Sequence, residues 1–304
     1  MPHRRITRIC SWSIPLLLLC VVTTAQTLPF REYTMDDGLP QSETMGAMQD
    51  SRGYLWIPTR NGLARFDGIT FDTYFRNDGL PSNIITVVVE DKAGTIWAFT
   101  PNGPARFDGN KFHDYPTPDS LLIKQINFGC TLPDPGKFLL MGKIMAGQPK
   151  ILYFDNGRYR AFEEIYPVLR ERQLTIQACD SRDSSLFLTE NDGSLYKLKN
   201  GSLTFITGGP IDYITVDNGT AIIYKPDRSF SYDGKTLKTY NNIPDIKNPL
   251  SLQHLYDDPE AMLKLLVPGQ AGITWDKGTI SSYLIDREGV VWIFSESKMY
   301  RLIS

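Results

Sequence analysis

Apolar and polar positions follow a short-strand rhythm along most of this 304-residue chain. Ile84-Ile-Thr-Val-Val-Val-Glu90 is almost continuously apolar and β-branched, the pattern of a strand buried on both faces. A turn at Lys92-Ala-Gly94 leads to a second strand, Thr95-Ile-Trp-Ala-Phe99. Asn102-Gly103 then predicts a tight turn, because both residues tolerate positive φ. Ala105-Arg-Phe107, the Asp108-Gly109 turn and the alternating aromatics of Lys111-Phe-His-Asp-Tyr115 complete four strands. No stretch of this unit has a 3.6-residue period, which excludes horseshoe and helical-pair repeats.

The unit recurs. Asp50-Ser-Arg-Gly-Tyr-Leu-Trp56 returns as Asp91-Lys-Ala-Gly-Thr-Ile-Trp97, and Asn61-Gly-Leu-Ala-Arg-Phe-Asp-Gly68 as Asn102-Gly-Pro-Ala-Arg-Phe-Asp-Gly109, both shifted by 41 residues. Asp37-Gly-Leu-Pro40 returns as Asp78-Gly-Leu-Pro81 at the same shift of 41. Later units are degenerate but keep their third-strand turns at Phe154-Asp-Asn-Gly157, Leu198-Lys-Asn-Gly201, Tyr232-Asp-Gly234 and Trp275-Asp-Lys-Gly278. The last unit restores the signature at Asp286-Arg-Glu-Gly-Val-Val-Trp292. Four strands per unit of about 40 residues predict an all-β fold, a β-propeller of about seven four-stranded blades over residues 28–304. Trp275 lies only 11 residues before Asp286, so the sixth blade is expected to lack its outer strand. The chain ends after a third strand and begins, at Leu28–Thr34, with a lone outer strand. An open edge is a template for aggregation, so the N-terminal strand is expected to pair into the last blade and close the ring.

At Asp-x-x-Gly-x-x-Trp, Asn-Gly-Leu-x-Arg-Phe-Asp-Gly and Asp-Gly-Leu-Pro-Ser-Asn the sequence resembles the two-component regulator propeller family. These motifs are specific over residues 28–116 and 281–303; between 120 and 280 only spacing and turn glycines persist. The resemblance implies the periplasmic sensor portion of a histidine kinase or hybrid two-component system. In such receptors propellers precede a small β-sandwich, a membrane helix and a cytoplasmic kinase. The chain is then either the sensor portion of a longer receptor or a free-standing periplasmic relative, and membrane attachment would come only through a region beyond it.

Residues 1–25 read as a secretory signal: Arg4, Arg5 and Arg8, an apolar run from Ile14 to Val22, and small residues at Thr23-Thr24-Ala25. The alternative is a retained anchor, for which the run is short against the ~20 residues of a spanning helix. Periplasmic export is the expectation. Once the signal's three arginines leave, 29 basic residues face 34 acidic ones, which gives no support for nucleic-acid binding. Cys10 and Cys20 leave too. Cys130 and Cys179 remain without metal-ligand spacing; buried free thiols are the preferred reading, and a bridge is what an oxidising compartment permits.

No catalytic motif occurs in usable context, and no cofactor or metal is implied. The repeat-registered Trp56, Trp97 and Trp292 are assigned to packing between blades, the aspartates Asp50 and Asp91 to turn hydrogen bonds, and Arg65 and Arg106 to ion pairs with Asp67 and Asp108 or to carbonyls. His113 and His254 stand isolated. Ligand contacts are expected on one rim, where second-to-third-strand turns meet blade-to-blade connectors. The candidates are Arg60, Asn61, Asn102, Glu190, Asn191, Gln270 and Glu296 in the turns, with Ser82, Asn83 and the Gln41-Ser42 pair in the connectors. The expected partner is a small molecule or oligosaccharide, with a second receptor propeller as a further candidate. A secreted protein-interaction scaffold is the alternative.

Overall fold

The computed structural model describes residues 30–240 and 280–302, apart from 42, 119–122, 145–148, 181–182, 218, 227 and 296–297. Among these residues the chain forms six four-stranded antiparallel sheets. Sheet one comprises Met48–Gln49, Leu55–Thr59, Gly62–Phe66 and Phe71–Tyr74. Sheet two comprises Val87–Glu90, Ile96–Thr100, Gly103–Phe107 and Phe112–Asp114. Sheet three comprises Ile123–Thr131, Lys137–Ile144, Pro149–Asp155 and Arg158–Ala161. Thr175–Asp180, Ser185–Thr189, Leu195–Lys199 and Ser202–Thr207 make sheet four. Tyr213–Asp217, Thr220–Tyr224, Ser229–Tyr232 and Leu237–Tyr240 make sheet five.

Sheet six joins the two ends of the chain. Ile280–Ile285, Val291–Ser295 and Met299–Leu302 are completed by Phe30–Tyr33 as the outermost strand. Phe30 pairs with Leu302 and Tyr33 with Met299, so the lone N-terminal strand does enter the C-terminal sheet. The unit containing Trp275, with its expected missing strand, lies outside the described residues, as do His254, the signal segment, Ser42, Gln270 and Glu296.

Neighbouring sheets share buried clusters in the order six, one, two, three, four, five. Tyr33, Trp292 and Phe294 of sheet six pack on Ile57, Ala64 and Phe66 of sheet one. Trp56 of sheet one packs on Phe107 of sheet two, ring centroids 5.2 Å apart. Trp97 of sheet two meets Phe138 of sheet three at 5.2 Å. The tryptophans are therefore the packing residues between sheets. Each buried indole of this kind contributes roughly 1.5–3 kcal/mol through its apolar area.

The repeat signature is a turn and a side-chain lock in one. Asp50 Oδ1 accepts from the Arg52 and Tyr54 amides at 3.0 Å each, and its Oδ2 accepts from Trp56 Nε1 at 2.9 Å. Asp91 does the same for Ala93, Thr95 and Trp97, and Asp286 for Glu288, Val290 and Trp292. Asp50 is fully buried, so every one of these bonds offsets a desolvation cost.

Three expectations are corrected. The first strand of sheet two begins at Val87, not Ile84; residues 84–86 cross between sheets, with the Ile85 amide bonded to the Thr59 carbonyl and Ile84 exposed. At Asn102-Gly103 only the glycine has positive φ; the two-residue positive-φ turns are Asn156-Gly157 and Asn200-Gly201. Cys130 and Cys179 form a disulfide, Cα atoms 6.1 Å apart, joining the first strands of sheets three and four. They stand near the same register position of consecutive units, which is what brings them within bridging reach.

Candidate ligand-binding rim

Antiparallel order puts the second-to-third-strand turns and the sheet-to-sheet connectors at one end of the sheets. In sheet one Thr59 Oγ1 accepts from the Asn61 amide at 3.1 Å and donates to the Gly62 carbonyl at 2.7 Å. Thr100 repeats this for Asn102 and Gly103 in sheet two. Gly62 has φ +123°, and a Cβ there would lie 2.8 Å from the Phe75 ring, so only glycine fits.

The connectors carry the Asp-Gly-Leu-Pro motif in a form the sequence reading missed. Met35–Asp37 and Arg76–Asp78 are single 3-10 turns. Asp37 and Asp78 accept from the backbone amides of Thr34 and Phe75, each at 2.8 Å. Leu39 and Leu80 are buried behind them. Gly79 has φ +94°, and a Cβ would overlap the Phe112 carbonyl oxygen at 1.8 Å.

Of the described candidates the structure brings Asn61 and Asn83 together, and each of the others bonds a residue outside the candidate set. Asn83 Nδ2 donates to Asn61 Oδ1 at 3.3 Å, its Oδ1 accepts from the Arg76 amide at 2.9 Å, and its carbonyl accepts from the Gly62 amide at 2.7 Å. Asn102 Nδ2 donates to the Pro81 carbonyl at 3.2 Å. Ser82 Oγ accepts from the Ile84 amide at 3.1 Å. Arg60 is ion-paired with Glu43, both exposed. On the sheet-four turn, Glu190 pairs with Arg172 at 2.9 Å and Asn191 bonds Gln173 at 2.8 Å. Asn83 is thus committed to the fold, whereas Arg60, Asn61, Asn102 and Asn191 keep exposed faces.

Glu43, Arg172 and Gln173 belong to this rim and were not singled out from the sequence. Arg172 lies over the Tyr196 ring at 5.0 Å, and its pKa is raised, chiefly by a hydrogen bond to Tyr196. Its connector holds a helical turn, Phe162–Ile165, for which the strand rhythm gave no signal. Gln41 Oε1 and Thr44 Oγ1, in the connector into sheet one, are buried without a hydrogen-bond partner among the described residues.

Away from the rim, Arg65 pairs with Asp72 at 2.5 Å rather than with Asp67, which caps its own turn through the Ile69 and Thr70 amides. The Lys111 amide, then His113 at 2.6 Å and the Asn110 amide, all bond Asp108 and hold its carboxyl far below the usual range. Among the described residues no group of three or more His, Cys, Asp or Glu could hold a metal, and no helix is long and apolar enough to cross a membrane.

Sheets of this kind, locked by a repeated Asp–Trp contact and completed by the N-terminal strand, define an all-β repeat protein of propeller type. No protein-family model matches the chain. A segment of 42 residues is 50% identical to histidine kinase P4 of Formosa agariphila, covering 14% of this chain and 3% of that protein. The fold is similar to the extracellular domain described as part of the hybrid two component system BT3049 of B. thetaiotaomicron, with a TM-score of 0.61 at 19% identity. That match covers 90% of this chain and 41% of the other, so the chain spans under half the length of either of these two proteins. Streptogramin B lyase is also similar, at 12% identity and a TM-score of 0.41 over 90% of this chain and 96% of that one.

Proposed function

We propose that this chain is the periplasmic, ligand-sensing propeller of a two-component signal transduction receptor, with seven blades closed by its N-terminal strand. It binds an extracellular small molecule, an oligosaccharide fragment being the leading class, and passes the event to a kinase region outside this chain. The observation that carries the reading is the likeness in fold to an extracellular two-component domain over 90% of the chain. The 39 residues between Tyr240 and Ile280 are one repeat's worth of chain, which supports a seventh blade between sheets five and six.

The rim is the proposed binding surface because several of its polar positions vary between units: Arg60 stands where the next unit has Pro101, and Gln41-Ser42 where it has Ser82-Asn83. The turns there hold exposed donors and acceptors at Arg60, Asn61, Asn102 and Asn191, with the half-buried Glu190 beside them. The reading assigns no reaction to the chain. A thermal-shift screen of the purified protein against oligosaccharides and amino acids tests it, since a ligand of the folded state raises the melting midpoint. Arg60→Ala should leave the midpoint of the free protein unchanged and weaken the response to any hit. A full response in Arg60→Ala and Asn191→Ala alike would remove the rim from consideration.

A second reading, a protein-interaction scaffold, is favoured by Met45, Ile84 and Val168, exposed large apolar residues in three connectors. A screen with no small-molecule hit, together with loss of partner capture in Ile84→Ser, would support it.

A further inference from the structure

One register position holds a cation in every described sheet. The third-strand residue just before the turn into the outer strand, and the outer-strand residue opposite it, read Arg65–Asp72, Arg106–His113, Tyr153–Arg160, Lys197–Thr204 and Ser231–Lys238 in sheets one to five. In sheet six the pair is Arg301–Arg31. Directly opposed cross-strand residues have Cβ atoms ~5 Å apart, and like charges there are destabilising. Where sheet one has an ion pair, the closing strand therefore brings a second guanidinium.

Both guanidinium groups are held in place and neither has an acidic partner among the described residues. Arg31 lies over the Tyr33 ring at 4.8 Å and Arg301 over the Trp292 ring at 5.5 Å, the two rings being neighbours with centroids 6.0 Å apart. Arg301 lines a cleft of about 230 Å³ at the seam between sheets six and one. The carboxylates of that cleft are already engaged. Asp286 accepts from two turn amides and Trp292, Asp67 caps its own turn, and Glu288 Oε2 accepts from Gln49 Nε2 at 3.0 Å.

We infer that Arg31 and Arg301 form an oxyanion site, taking a carboxylate or sulfate group of a small molecule or sugar at the closing seam. Two forked, planar donors at directly opposed positions on one face of the sheet, Arg301 at the edge of the cleft and Arg31 beside it on the outer strand, match a group that offers two or three oxygens in a plane or tripod. The anion removes the like-charge conflict at the strand that closes the fold, so occupancy stabilises that strand. The site lies at the end of the sheets opposite the rim and stands whether or not the rim binds a ligand.

The test is a melting series at constant ionic strength, with chloride replaced by sulfate or by glucuronate up to 10 mM, where general salting-in and salting-out effects are small. The wild-type protein should show a saturable rise of about 2 °C or more with at least one of the two anions. Arg31→Gln should fold and lose the rise. Arg31→Asp should melt higher than wild type without added anion, because it rebuilds the Arg–Asp pair of sheet one, and should also lose the rise. The inference is overturned if neither anion raises the wild-type midpoint, or if Arg31→Gln responds as wild type does. A response to sulfate alone identifies a sulfate ester as the group bound, and a response to glucuronate a carboxylate.

Discussion

Sheets one, two and six are held by the Asp–Trp lock, whereas sheets three, four and five have no tryptophan in their second strands. Leu139 and Phe187 stand at the corresponding register position in sheets three and four, and a disulfide joins the first strands of those two sheets. The same architecture is thus stabilised by two devices. One is a buried hydrogen bond repeated with the sequence. The other is a single covalent link that appears where the repeat has decayed. The lock also reaches across a seam: Asp91 Oδ2 accepts both from Trp97 and from the Gly136 amide of the adjoining sheet, at 3.0 Å each.

The largest effect should come from removing the element on which both ends depend. Deleting residues 30–36 strips Tyr33 from the cluster shared by sheets six and one and leaves Met299–Leu302 as an open edge. Loss of that aromatic alone is worth about 3–5 kcal/mol, and urea unfolding should show a lower midpoint and a tendency to aggregate. A deletion that melts like the full chain would show that the strand is ornamental.

Breaking the covalent device comes next. Cys179→Ser should destabilise by about 2–4 kcal/mol, the typical value for a native bridge. The same loss should appear in the wild-type protein on adding reductant, and not in the variant. Trp56→Phe should cost about 1–3 kcal/mol, because it leaves the Oδ2 atom of a fully buried aspartate with only a long 3.5 Å contact from Arg52 Nη2. Trp97→Phe should cost less, since Asp91 keeps the Gly136 amide on the same oxygen. Equal costs would mean that ring packing, not the hydrogen bond, sets the value of the lock.

The smallest expected effect is electrostatic. Burial acts to raise the pKa of Asp183, but its bonds to Lys199 and Ser185 outweigh burial and pull it down to about 2 from 3.8. A carboxyl depressed in the folded state stabilises it above pH ~4 and loses that contribution as pH falls toward 2. Asp183→Asn should therefore be less stable than wild type at pH 6 and show a shallower fall in stability between pH 4 and 2.

The parts of the fold that were legible in advance are those in which a residue type has one physical use. Asp50 and Trp56, six apart across a tight turn, could be assigned to a turn and to packing because the 41-residue repeat fixed their register. What the repeat could not show is that one carboxylate serves both. The strand at 28–34 was recognisable as an unmatched half-unit, and it does pair with Met299–Leu302. The disulfide was not legible, because a Cα separation is set by how sheets pack rather than by spacing along the chain. For Arg65 the sequence offers Asp67 of the adjoining turn or a carbonyl; cross-strand register instead places Asp72 opposite it, and Asp67 is consumed by amides. At the rim, Asn83 was selected for being polar in a connector; its three bonds to the fold show why polarity alone does not distinguish a contact from a stitch.

The account rests on a division of labour: buried repeated residues build the scaffold, and the exposed polar residues of the rim meet the sensed ligand. Hydrogen–deuterium exchange of the full chain, with and without a screen hit that still raises the midpoint of Arg31→Gln, tests it most directly. The account predicts added protection in the segments around 43–45, 60–62, 81–86, 100–103, 170–174 and 190–194. Protection confined to the opposite turns, around 50–54, 67–70 and 91–95, with the rim unchanged, would contradict it.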